Sequence, residues 1–395
     1  MTSHKQLFLR HFGQTSVNPL AFEIKKAQGI YLYTPSGERY IDLISGVCVS
    51  NLGHNHPKII KAIKDQVDNH LHLMVYGELI QKPQIELVKL LTDNLPETLN
   101  SVYLVNSGSE AVEGAMKLAK RITGRHEIVA FGKSYHGSTH GALSILGDES
   151  YKDAFRPLVP SIRFLEFNRK DQLDQIGAET ACVVVEPVQA EAGVIMPVNN
   201  FLHELKKRCL ITGTILIFDE VQTGFGRTGS LFAFEQFKVL PDILVLAKAL
   251  GGGMPLGAFI SSSEKMAQLK ANPSLGHITT FGGHPVSCAA AYAALQVLLE
   301  EKIITDVIRK GKLFKKLIRH KAIREFRGMG LLLAVDLKFP DHAKRLIEQA
   351  PRKGFILDSF LFRSDSFRIA PPLNISDEEI RMVSYRLMEL IEETQ

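Results

Sequence analysis

Three ionisable residues follow short apolar segments, a place where a charge is costly unless it is paired or used. Lys248 follows a segment that predicts a buried strand, and Glu186 and Asp219 each follow a β-branched one. Desolvation lowers the pKa of a lysine and frees its amine to attack a carbonyl, forming a Schiff base. A lone lysine would more simply extend from a strand end into solvent. Because ligands of open α/β sheets bind at the carboxyl ends of the strands, the three residues together predict a site.

A fourth predicted strand, residues 101–105, leads into a turn that could bind an anion. Ser107 and Glu110 have the spacing of a capping box, so we expect a helix to begin here. Gly108 and Ser109 are small enough for a phosphate to approach the free N–H groups at the positive end of that helix. An ordinary capped helix is equally compatible with this turn. Only the lysine and the acids described above favour a phosphate.

A lysine able to form an imine, an acid for a ring nitrogen and a phosphate site are together typical of pyridoxal phosphate enzymes. The chain also resembles the class III (ω-amino) aminotransferases, which have pyridoxal-phosphate fold type I. The resemblance is carried, in order, by residues 107–111, 135–137, 186–193, 219–229, 248–253 and 279–285. It begins with residues 29–33 and 53–57 and ends with 368–372, so it covers nearly the whole chain.

The resemblance implies an α/β fold in two parts. A large domain would contain a mainly parallel seven-stranded sheet, and a smaller domain would be α+β. Residues 1–50 are interpreted as an extended arm and hairpin that belong to the small domain. Residues 51–285 alternate strands and helices, as a large cofactor-binding domain would. Residues 286–395 would complete the small domain, and Pro285 is expected to begin a long helix.

The resemblance also assigns roles to residues. Lys248 would hold pyridoxal 5′-phosphate covalently and move the proton during the reaction, and Asp219 would pair with the ring nitrogen. The other cofactor-binding residues would be Ser107, Gly108, Ser109, Tyr135, His136, Glu186, Val221, Gln222 and, from the neighbouring subunit of a homodimer, Thr280. Among them, Tyr135 would stack on the ring, and Gln222 would hydrogen-bond its phenolic oxygen.

Glu191 and Arg368 resemble the switch pair of this family. The arginine would bind the carboxylate of 2-oxoglutarate, a task suited to its bidentate geometry. The glutamate would mask the arginine while the amine donor is bound. The implied reaction is a ping-pong transfer of a terminal amino group from an ornithine-, acetylornithine- or diamine-type donor. Taken alone, Arg368 would be expected to face solvent and Glu191 to be an ordinary loop charge.

The donor is the part of the function that the sequence leaves open. Ornithine and acetylornithine aminotransferases have an arginine for the donor α-carboxylate at the position of Ser138. The aromatic hydroxyl that the ornithine enzymes use near the N-terminus corresponds to Val17. Residues 135–144 and 158–168 are closer to putrescine-type diamine aminotransferases. A diamine, lysine, another ω-amine and an ornithine-type acid all remain compatible with the chain.

Other classes of function were weighed against transamination. An aminomutase or a decarboxylase on the same scaffold would keep Lys248 and Asp219. A non-catalytic pyridoxal-phosphate-binding protein would need a broken catalytic set, whereas this set is intact. Residues 224–229 match the G-x-G-x-x-G pattern of nicotinamide enzymes. Four residues separate this segment from the preceding strand and no clear helix start follows, so an NAD-dependent oxidoreductase is disfavoured.

Composition predicts a soluble cytoplasmic enzyme. Of the 395 residues 45% are hydrophobic and 23% charged, which is ordinary for a globular protein. The net charge of +5 includes no basic tract interleaved with aromatic residues, so nucleic-acid binding is not supported. The four cysteines are scattered, which argues against a metal site or a disulfide framework and agrees with a reducing compartment. The chain has no signal-peptide core and no apolar run of transmembrane length.

Overall fold

Residues 3–394 are described by the computed structural model, and they form three β-sheets with helices packed against them. The helical segments are α1 (His4–His11), α2 (Ser45–Cys48), α3 (Pro57–Asn69), α4 (Lys82–Asp93), α5 (Gly108–Thr123), α6 (His140–Ser144), α7 (Phe201–Thr212), α8 (Ala233–Phe237), α9 (Ser263–Met266), α10 (Pro285–Glu300), α11 (Val307–Leu317), α12 (Pro340–Gln349) and α13 (Asp377–Glu393). The strands are β1 (Lys26–Gln28), β2 (Tyr31–Tyr33), β3 (Arg39–Asp42), β4 (Ser101–Val105), β5 (Glu127–Phe131), β6 (Ile162–Leu165), β7 (Thr180–Val185), β8 (Ile215–Asp219), β9 (Ile243–Leu246), β10 (Gly257–Ser261), β11 (Ile323–Met329), β12 (Leu332–Leu337), β13 (Phe355–Ile356), β14 (Ser359–Phe360) and β15 (Arg363–Ile369). No helix in this part of the chain is long and apolar enough to cross a membrane.

The largest sheet has seven strands in the order β4-β10-β9-β8-β7-β5-β6. Strand β10 is antiparallel to both of its neighbours, and the pairs from β9 to β6 are parallel. The prediction of a mainly parallel seven-stranded sheet is therefore confirmed. Every residue of β7 and β8 is buried, as expected for central parallel strands that are covered on both faces.

Alternate residues of these strands enter two different hydrophobic cores. Val183 and Val185 of β7 belong to one core, and Cys182 and Val184 belong to the other. Helix α5 packs on the second face, against β7 to β10. Because both faces are covered, the polar groups of the sheet are available to a ligand only at the strand ends.

Two smaller sheets accompany the large one, and only the first combines strands from opposite ends of the chain. The first has the order β1-β2-β3-β13, and β3 pairs in parallel with β13. The second has the order β11-β12-β15-β14 and is antiparallel throughout. Helix α10 begins at Pro285, as predicted. The division of the chain into domains at residues 50 and 285 stays a prediction.

The N-terminal arm is not wholly extended, so that prediction was wrong for its first residues. Helix α1 begins with a complete capping box, in which Ser3 accepts from the Gln6 N–H and the Gln6 side chain accepts from the Ser3 N–H. No residue of α1 is buried. A search for an apolar face would therefore miss this helix, whereas the Ser-x-x-Gln spacing is a detectable helix-start signal.

Segment α2 is a single turn whose residues are in the left-handed region. The φ angles are +48° at Ser45, +62° at Gly46, +59° at Val47 and +65° at Cys48. This conformation is disfavoured for a β-branched residue such as Val47. The turn is held from outside, since Ser45 Oγ donates to the carbonyl of Ala370 at 2.6 Å. It places the next residue, Val49, at the wall of the cavity that Lys248 also lines.

Candidate active site

The three predicted strand-end residues lie together. Strands β7, β8 and β9 are adjacent and parallel, so Glu186, Asp219 and Lys248 emerge at the same edge of the sheet. All three line one cavity of about 390 Å³, together with the turn at residues 106–109 and the loop 135–137. A second cavity of about 530 Å³ is lined by neither Lys248 nor Asp219. The lysine and the carboxylates therefore place the chemistry in the smaller cavity.

Lys248 is withdrawn from water and has an unusual backbone. Burial lowers the pKa of its amine, while the nearby carboxylates of Glu191 and Asp219 act in the opposite direction. Its φ angle is +49°, in the left-handed region. Non-glycine residues in this region cluster at functional sites, where the surrounding structure holds them. The lysine is thus held with a lowered pKa at the wall of the cavity rather than as a surface charge.

Asp219 is fixed in orientation by two contacts. Its Oδ1 accepts a hydrogen bond from the Val221 N–H at 3.0 Å, and its Oδ2 lies 2.7 Å from His136 Nδ1. The imidazole is fully buried, and its Nε2 has no hydrogen-bond partner among the described residues. Sequence reasoning placed His136 only next to Tyr135 and missed its contact with the aspartate. The two contacts leave the carboxylate one orientation in the cavity.

The start of α5 can accept an anion. Ser107 is the N-cap and accepts from the Glu110 N–H at 3.2 Å. The predicted capping box is only half formed, because the Glu110 carboxylate accepts from the N–H of Asn106 instead of that of Ser107. A Cβ on Gly108 would lie 3.2 Å from both methyl groups of Val221. The small residue therefore keeps the helix N-terminus close to the end of β8.

The loop at residues 135–137 packs against the same turn. A Cβ on Gly137 would lie 2.1 Å from Ser109 Oγ, and the backbone there has φ +132°. Only glycine fits this position without movement. The N–H of Ser138 donates to Ser109 Oγ at 3.3 Å, which joins the loop to the helix start. Tyr135 of this loop also lines the cavity.

Glu186 connects two loops of the site. One carboxylate oxygen accepts from the Tyr135 N–H at 3.0 Å, and the other accepts from the Ala190 N–H at 2.9 Å. Burial raises the pKa of Glu186 to about 7, and the negative charge of Asp219 adds to this effect. Glu186 therefore holds both the loop of Tyr135 and the loop that carries Glu191.

Glu191 and Arg368, to which the resemblance assigns the switch roles, form a buried ion pair. Arg368 Nη2 lies 2.8 and 2.9 Å from the two oxygens of Glu191, and the arginine is 1% exposed. Gln222, which lines the cavity, donates to Glu191 at 3.1 Å and accepts from Arg368 at 3.1 Å. The expectation that Arg368 alone would face solvent was wrong, because β15 is a buried strand at this point.

The charges of the pair are mutually stabilised. Burial acts to raise the pKa of Glu191, but the positive charges of Arg368 and Lys248 outweigh it and the pKa is lowered. The Leu361 N–H also donates to the Glu191 carboxylate, at 3.2 Å. The glutamate is therefore ionised and held from several directions while no substrate carboxylate competes for the arginine.

Three residues named from the sequence do not line the cavity. Thr280 is exposed, and its carbonyl accepts from His72 Nε2 at 2.8 Å. Val17 is 95% exposed. Ser138 is exposed at the edge of the site, with its Oγ 3.0 Å from Tyr135 Oη. None of these three residues lines the cavity within this single chain.

Two acids near the site were missed. Glu220 is fully buried and accepts from the N–H groups of Ala233 and Phe234, so it caps the start of α8. Asp358 Oδ1 lies 3.4 Å from Arg368 Nε. The helix N–H that Glu220 accepts from at Ala233 is 13 positions away, and Arg368 follows Asp358 by ten, so no local sequence signal marks either contact.

The glycine-rich segment 224–229 is structural. Arg227 within it is fully buried and donates to the carbonyls of Leu331 and Pro371 and to the side chains of Ser45 and Asn51. The expectation that no helix start follows was wrong, since α8 begins at Ala233. That helix begins four residues after the last glycine, so the arrangement still differs from the dinucleotide fingerprint.

Comparison with known proteins agrees with this architecture. The family described as aminotransferase class-III matches residues 12–391. The acetylornithine aminotransferase of Methanopyrus kandleri is 39% identical over 358 residues, which cover 89% of this chain and 90% of that protein. The ornithine aminotransferase of Toxoplasma gondii superposes with a TM-score of 0.91 at 28% identity, covering 100% of this chain and 95% of that one. A transaminase from the marine bacterium Virgibacillus superposes with a TM-score of 0.92 at 27% identity, covering 99% and 98%.

The fold and the site define a pyridoxal-phosphate-dependent enzyme of fold type I. The residues present fit this cofactor: a desolvated lysine, an oriented carboxylate and a helix N-terminus kept open by glycine meet in one cavity. The chain belongs to the class III aminotransferases, and it is an aminotransferase that uses pyridoxal phosphate.

Proposed function

We propose that this enzyme transfers the terminal amino group of an ornithine-, acetylornithine- or diamine-type donor to 2-oxoglutarate in a ping-pong reaction. The observation that carries the proposal is the buried pair of Glu191 and Arg368 beside the cavity. An arginine enclosed in this way is suited to a substrate carboxylate, and the glutamate occupies it in the absence of one. The acetylornithine and ornithine aminotransferases among its relatives support the same substrate class.

The cofactor would be held by residues from several strand ends. Bound pyridoxal phosphate supplies an electron sink for cleavage of a C–H bond beside the amine. Lys248 would hold the cofactor and carry the proton on Nζ. Asp219, oriented by His136 and Val221, would place a negative charge at the ring nitrogen.

The remaining contacts would fix the phosphate and the ring. Ser107, Gly108 and Ser109 would bind the phosphate at the start of α5, where free N–H groups and the helix dipole favour an anion. Tyr135 would pack on the ring, and Gln222 would reach its phenolic oxygen. Glu186 would keep the Tyr135 loop in place.

The switch pair explains how one cavity could serve two unlike substrates. While the donor is bound, Glu191 covers Arg368 and keeps its charge from the cavity. The carboxylate of 2-oxoglutarate would replace the glutamate on the arginine. Because Glu191 is also held by Gln222 and the Leu361 N–H, the covered state is the resting one.

The donor side has no guanidinium at the position of Ser138. Its hydroxyl is close to that of Tyr135, so this position offers neutral hydrogen-bonding groups only. A donor α-carboxylate would find no ionic partner at this position. This supports a diamine or another ω-amine, whereas the names of the relatives support an acylated or free ornithine. Both remain within the proposed donor class.

We also propose a cytoplasmic homodimer in which Thr280 contributes to the cofactor site of the neighbouring subunit. Thr280 is exposed in its own chain, and so are the large apolar side chains beside it in the sequence, Ile278 (49%) and Phe281 (53%). A patch of this kind is typical of a protein–protein interface. The four cysteines are free and buried, which supports a reducing compartment.

A donor panel assayed with 2-oxoglutarate tests the proposed function. Putrescine, lysine, ornithine and N-acetylornithine would be compared by the rate of glutamate formation, and we expect parallel double-reciprocal lines with the best donor. An aminomutase would form an isomer of the donor without glutamate, and a decarboxylase would release carbon dioxide. Either result without glutamate formation contradicts the proposal.

A further inference from the structure

Arg368 has a second carboxylate partner, Asp358, in addition to the glutamate of the switch pair. We infer that Asp358 is a specificity-determining residue that reduces the affinity of Arg368 for substrate carboxylates. The inference rests on the proposed function, in which this arginine binds the carboxylate of the amino acceptor. It adds a residue that stays beside the arginine in both halves of the reaction.

The geometry of the contact is that of an ion pair without a hydrogen bond. Arg368 Nε and Asp358 Oδ1 are 3.4 Å apart. Both atoms are buried, and neither has a hydrogen-bond partner among the described residues. The main chain holds the two residues opposite each other, because the Arg368 N–H donates to the Asp358 carbonyl at 2.9 Å. This bond keeps the two residues adjacent, so the carboxylate can leave the arginine only by rotation of the Asp358 side chain.

The charges around the guanidinium are unequal. Glu191 and Asp358 each carry a negative charge when ionised, and Arg368 carries one positive charge. Burial raises the pKa of Asp358 to about 6, with the arginine acting against this and Glu191 and Asp42 adding to it. Asp358 is thus mainly ionised at neutral pH. A substrate carboxylate that replaces Glu191 meets an arginine whose charge is already partly balanced.

The segment 358–362 contacts both members of the switch pair. The Arg368 guanidinium lies 4.7 Å from the ring centroid of Phe360, and the N–H groups of Leu361 and Phe362 donate to Glu191. Asp358, at the start of this segment, therefore occupies the Nε side of the arginine. Only the Nη side, which contacts Glu191 and Gln222, can exchange partners.

The test removes the charge of Asp358 in a variant that also lacks the charge of Glu191, so that only the effect of Asp358 on Arg368 is measured. Loss of Asp358 also strengthens the hold of Glu191 on the arginine, so the comparison is made in a Glu191→Gln background. Binding of glutarate, a dicarboxylate that cannot react, is measured by calorimetry on the cofactor-loaded enzyme. We expect Glu191→Gln/Asp358→Asn to bind glutarate roughly tenfold more tightly than Glu191→Gln does.

Asp365→Asn in the same background is the matched control. Asp365 lies on the same strand as Arg368 and pairs with Arg324 and Arg363 instead. Equal tightening in this control would show a general charge effect and overturn the inference. Unchanged or weaker glutarate binding in the Asp358 variant would overturn it too, as would no binding in any variant. Damage to the fold would weaken binding of glutarate, so the expected tighter binding could not result from misfolding.

Failure of the proposed function gives a different pattern. If the unmodified enzyme forms no glutamate from 2-oxoglutarate while the glutarate titration responds to Asp358→Asn, the proposed acceptor is wrong and the inference stands. If glutamate forms and the titration does not respond, the acceptor stands and the role of Asp358 is wrong.

Discussion

Lys248 differs from a surface lysine in both its side chain and its backbone. Its amine is desolvated, and its main chain is held at a φ of +49°. Both properties come from neighbouring strands and turns, since the residue stands where β9 gives way to the glycine turn at 251–253. A substitution here would therefore remove a reactive group without removing a support of the sheet.

We expect Lys248→Ala to abolish turnover while pyridoxal phosphate still binds non-covalently, because the phosphate turn and Asp219 remain. Borohydride reduction followed by peptide mapping checks the attachment point, with Lys207→Ala on the exposed side of α7 as a control that keeps the label. Labelling of any other lysine in the unmodified enzyme would contradict the assignment.

Asp219→Asn should lower kcat by at least about a hundredfold, the usual effect of removing one oriented electrostatic group. An amide cannot balance a positive ring nitrogen, although it can keep the contact with the Val221 N–H. The melting temperature should change little. The exposed Asp174→Asn variant is the control, and near-normal activity of Asp219→Asn would assign the charge-balancing role to another residue.

Arg368→Ala should weaken the half-reaction with 2-oxoglutarate by about 2–5 kcal/mol, the cost of truncating one partner of a buried charge pair. The half-reaction with a diamine should be affected far less, since that donor has no carboxylate. Glu191→Ala should lower donor discrimination, because the arginine stays uncovered. Single-turnover absorbance measurements separate the two halves. Equal loss in both halves for Arg368→Ala would show a structural role.

The residues of the site differ in how far they could be predicted. Lys248, Asp219 and Glu186 follow apolar strands, and that signal is local in the sequence. The contact of His136 with Asp219 joins residues that are 83 positions apart, and that of Arg368 with Glu191 joins residues 177 apart. No local sequence pattern can predict contacts between residues that are so far apart along the chain. Only the resemblance brought Glu191 and Arg368 together, and nothing in the sequence pointed to Asp358.

At the scale of secondary structure elements, Asp336 joins three strands. This fully buried residue of β12 accepts from Arg327 of β11 at 2.6 and 2.7 Å and from Arg363 of β15 at 2.5 Å. Ser366 of β15 donates to it as well. Burial acts to raise the pKa of Asp336, but these donors outweigh it and lower the pKa to about 2. Arg327 also donates to the carbonyl of Gly193, so the cluster supports the loop that carries Glu191.

Asp336→Asn should lower the free energy of unfolding by about 2 kcal/mol at pH 7, as expected for a pKa lowered by nearly two units. Because the pKa is lower in the folded state, the stabilisation is present above the ordinary pKa and is lost as pH falls toward 2. Urea unfolding at pH 7 and near pH 3 checks both statements. The difference should shrink at the lower pH, and a constant difference would contradict the ionic origin.

The exposed variant Asp171→Asn is the control for this experiment. Its partner Arg169 is also exposed, so its urea midpoint should stay close to that of the unmodified protein. A loss equal to that of Asp336→Asn would show that any removed carboxylate lowers the stability of this protein.

Elements were predicted best where one face or both faces are buried. The β-branched strands of the large sheet and the long helix after Pro285 were recognised from their apolar residues. Helix α1 was missed because it buries nothing, and the capping box at Ser107 was half wrong because Glu110 turns toward Asn106. In both cases the structure depends on hydrogen bonds among a few residues at the helix start. The same capping-box spacing is compatible with more than one set of such hydrogen bonds.

At the scale of the whole molecule, the proposed dimer can be tested by mixing defective subunits. Thr280→Val should raise the concentration of pyridoxal phosphate needed for activity by about tenfold or more, if its hydroxyl binds the phosphate. Dimers of one Lys248→Ala chain and one Thr280→Val chain should then recover activity at low cofactor concentration. One of their two sites has both an intact lysine and an intact threonine.

Dimers of Lys248→Ala and Asp219→Asn are the control. Both residues come from the same chain in each site, so no site in the mixed dimer is complete and no activity should return. Recovery in this control, or none in the Thr280→Val mixture, would show that the threonine does not serve the neighbouring site. Two affinity tags allow the mixed dimer to be isolated.

The pairing of β3 with β13 has a consequence for the synthesis of the chain. Strands β1 to β3 leave the ribosome first, and their partner β13 follows about 300 residues later. At roughly 5–20 residues per second, the interval is on the order of 15 to 60 s. During that time the edge of β3 that pairs with β13 is open. Arg227, which donates to Ser45 and Asn51, also lacks the carbonyl of Pro371 until that residue is made. The hairpin must therefore stay available in the nascent chain until β13 has been made, so the small sheet can close only late in synthesis.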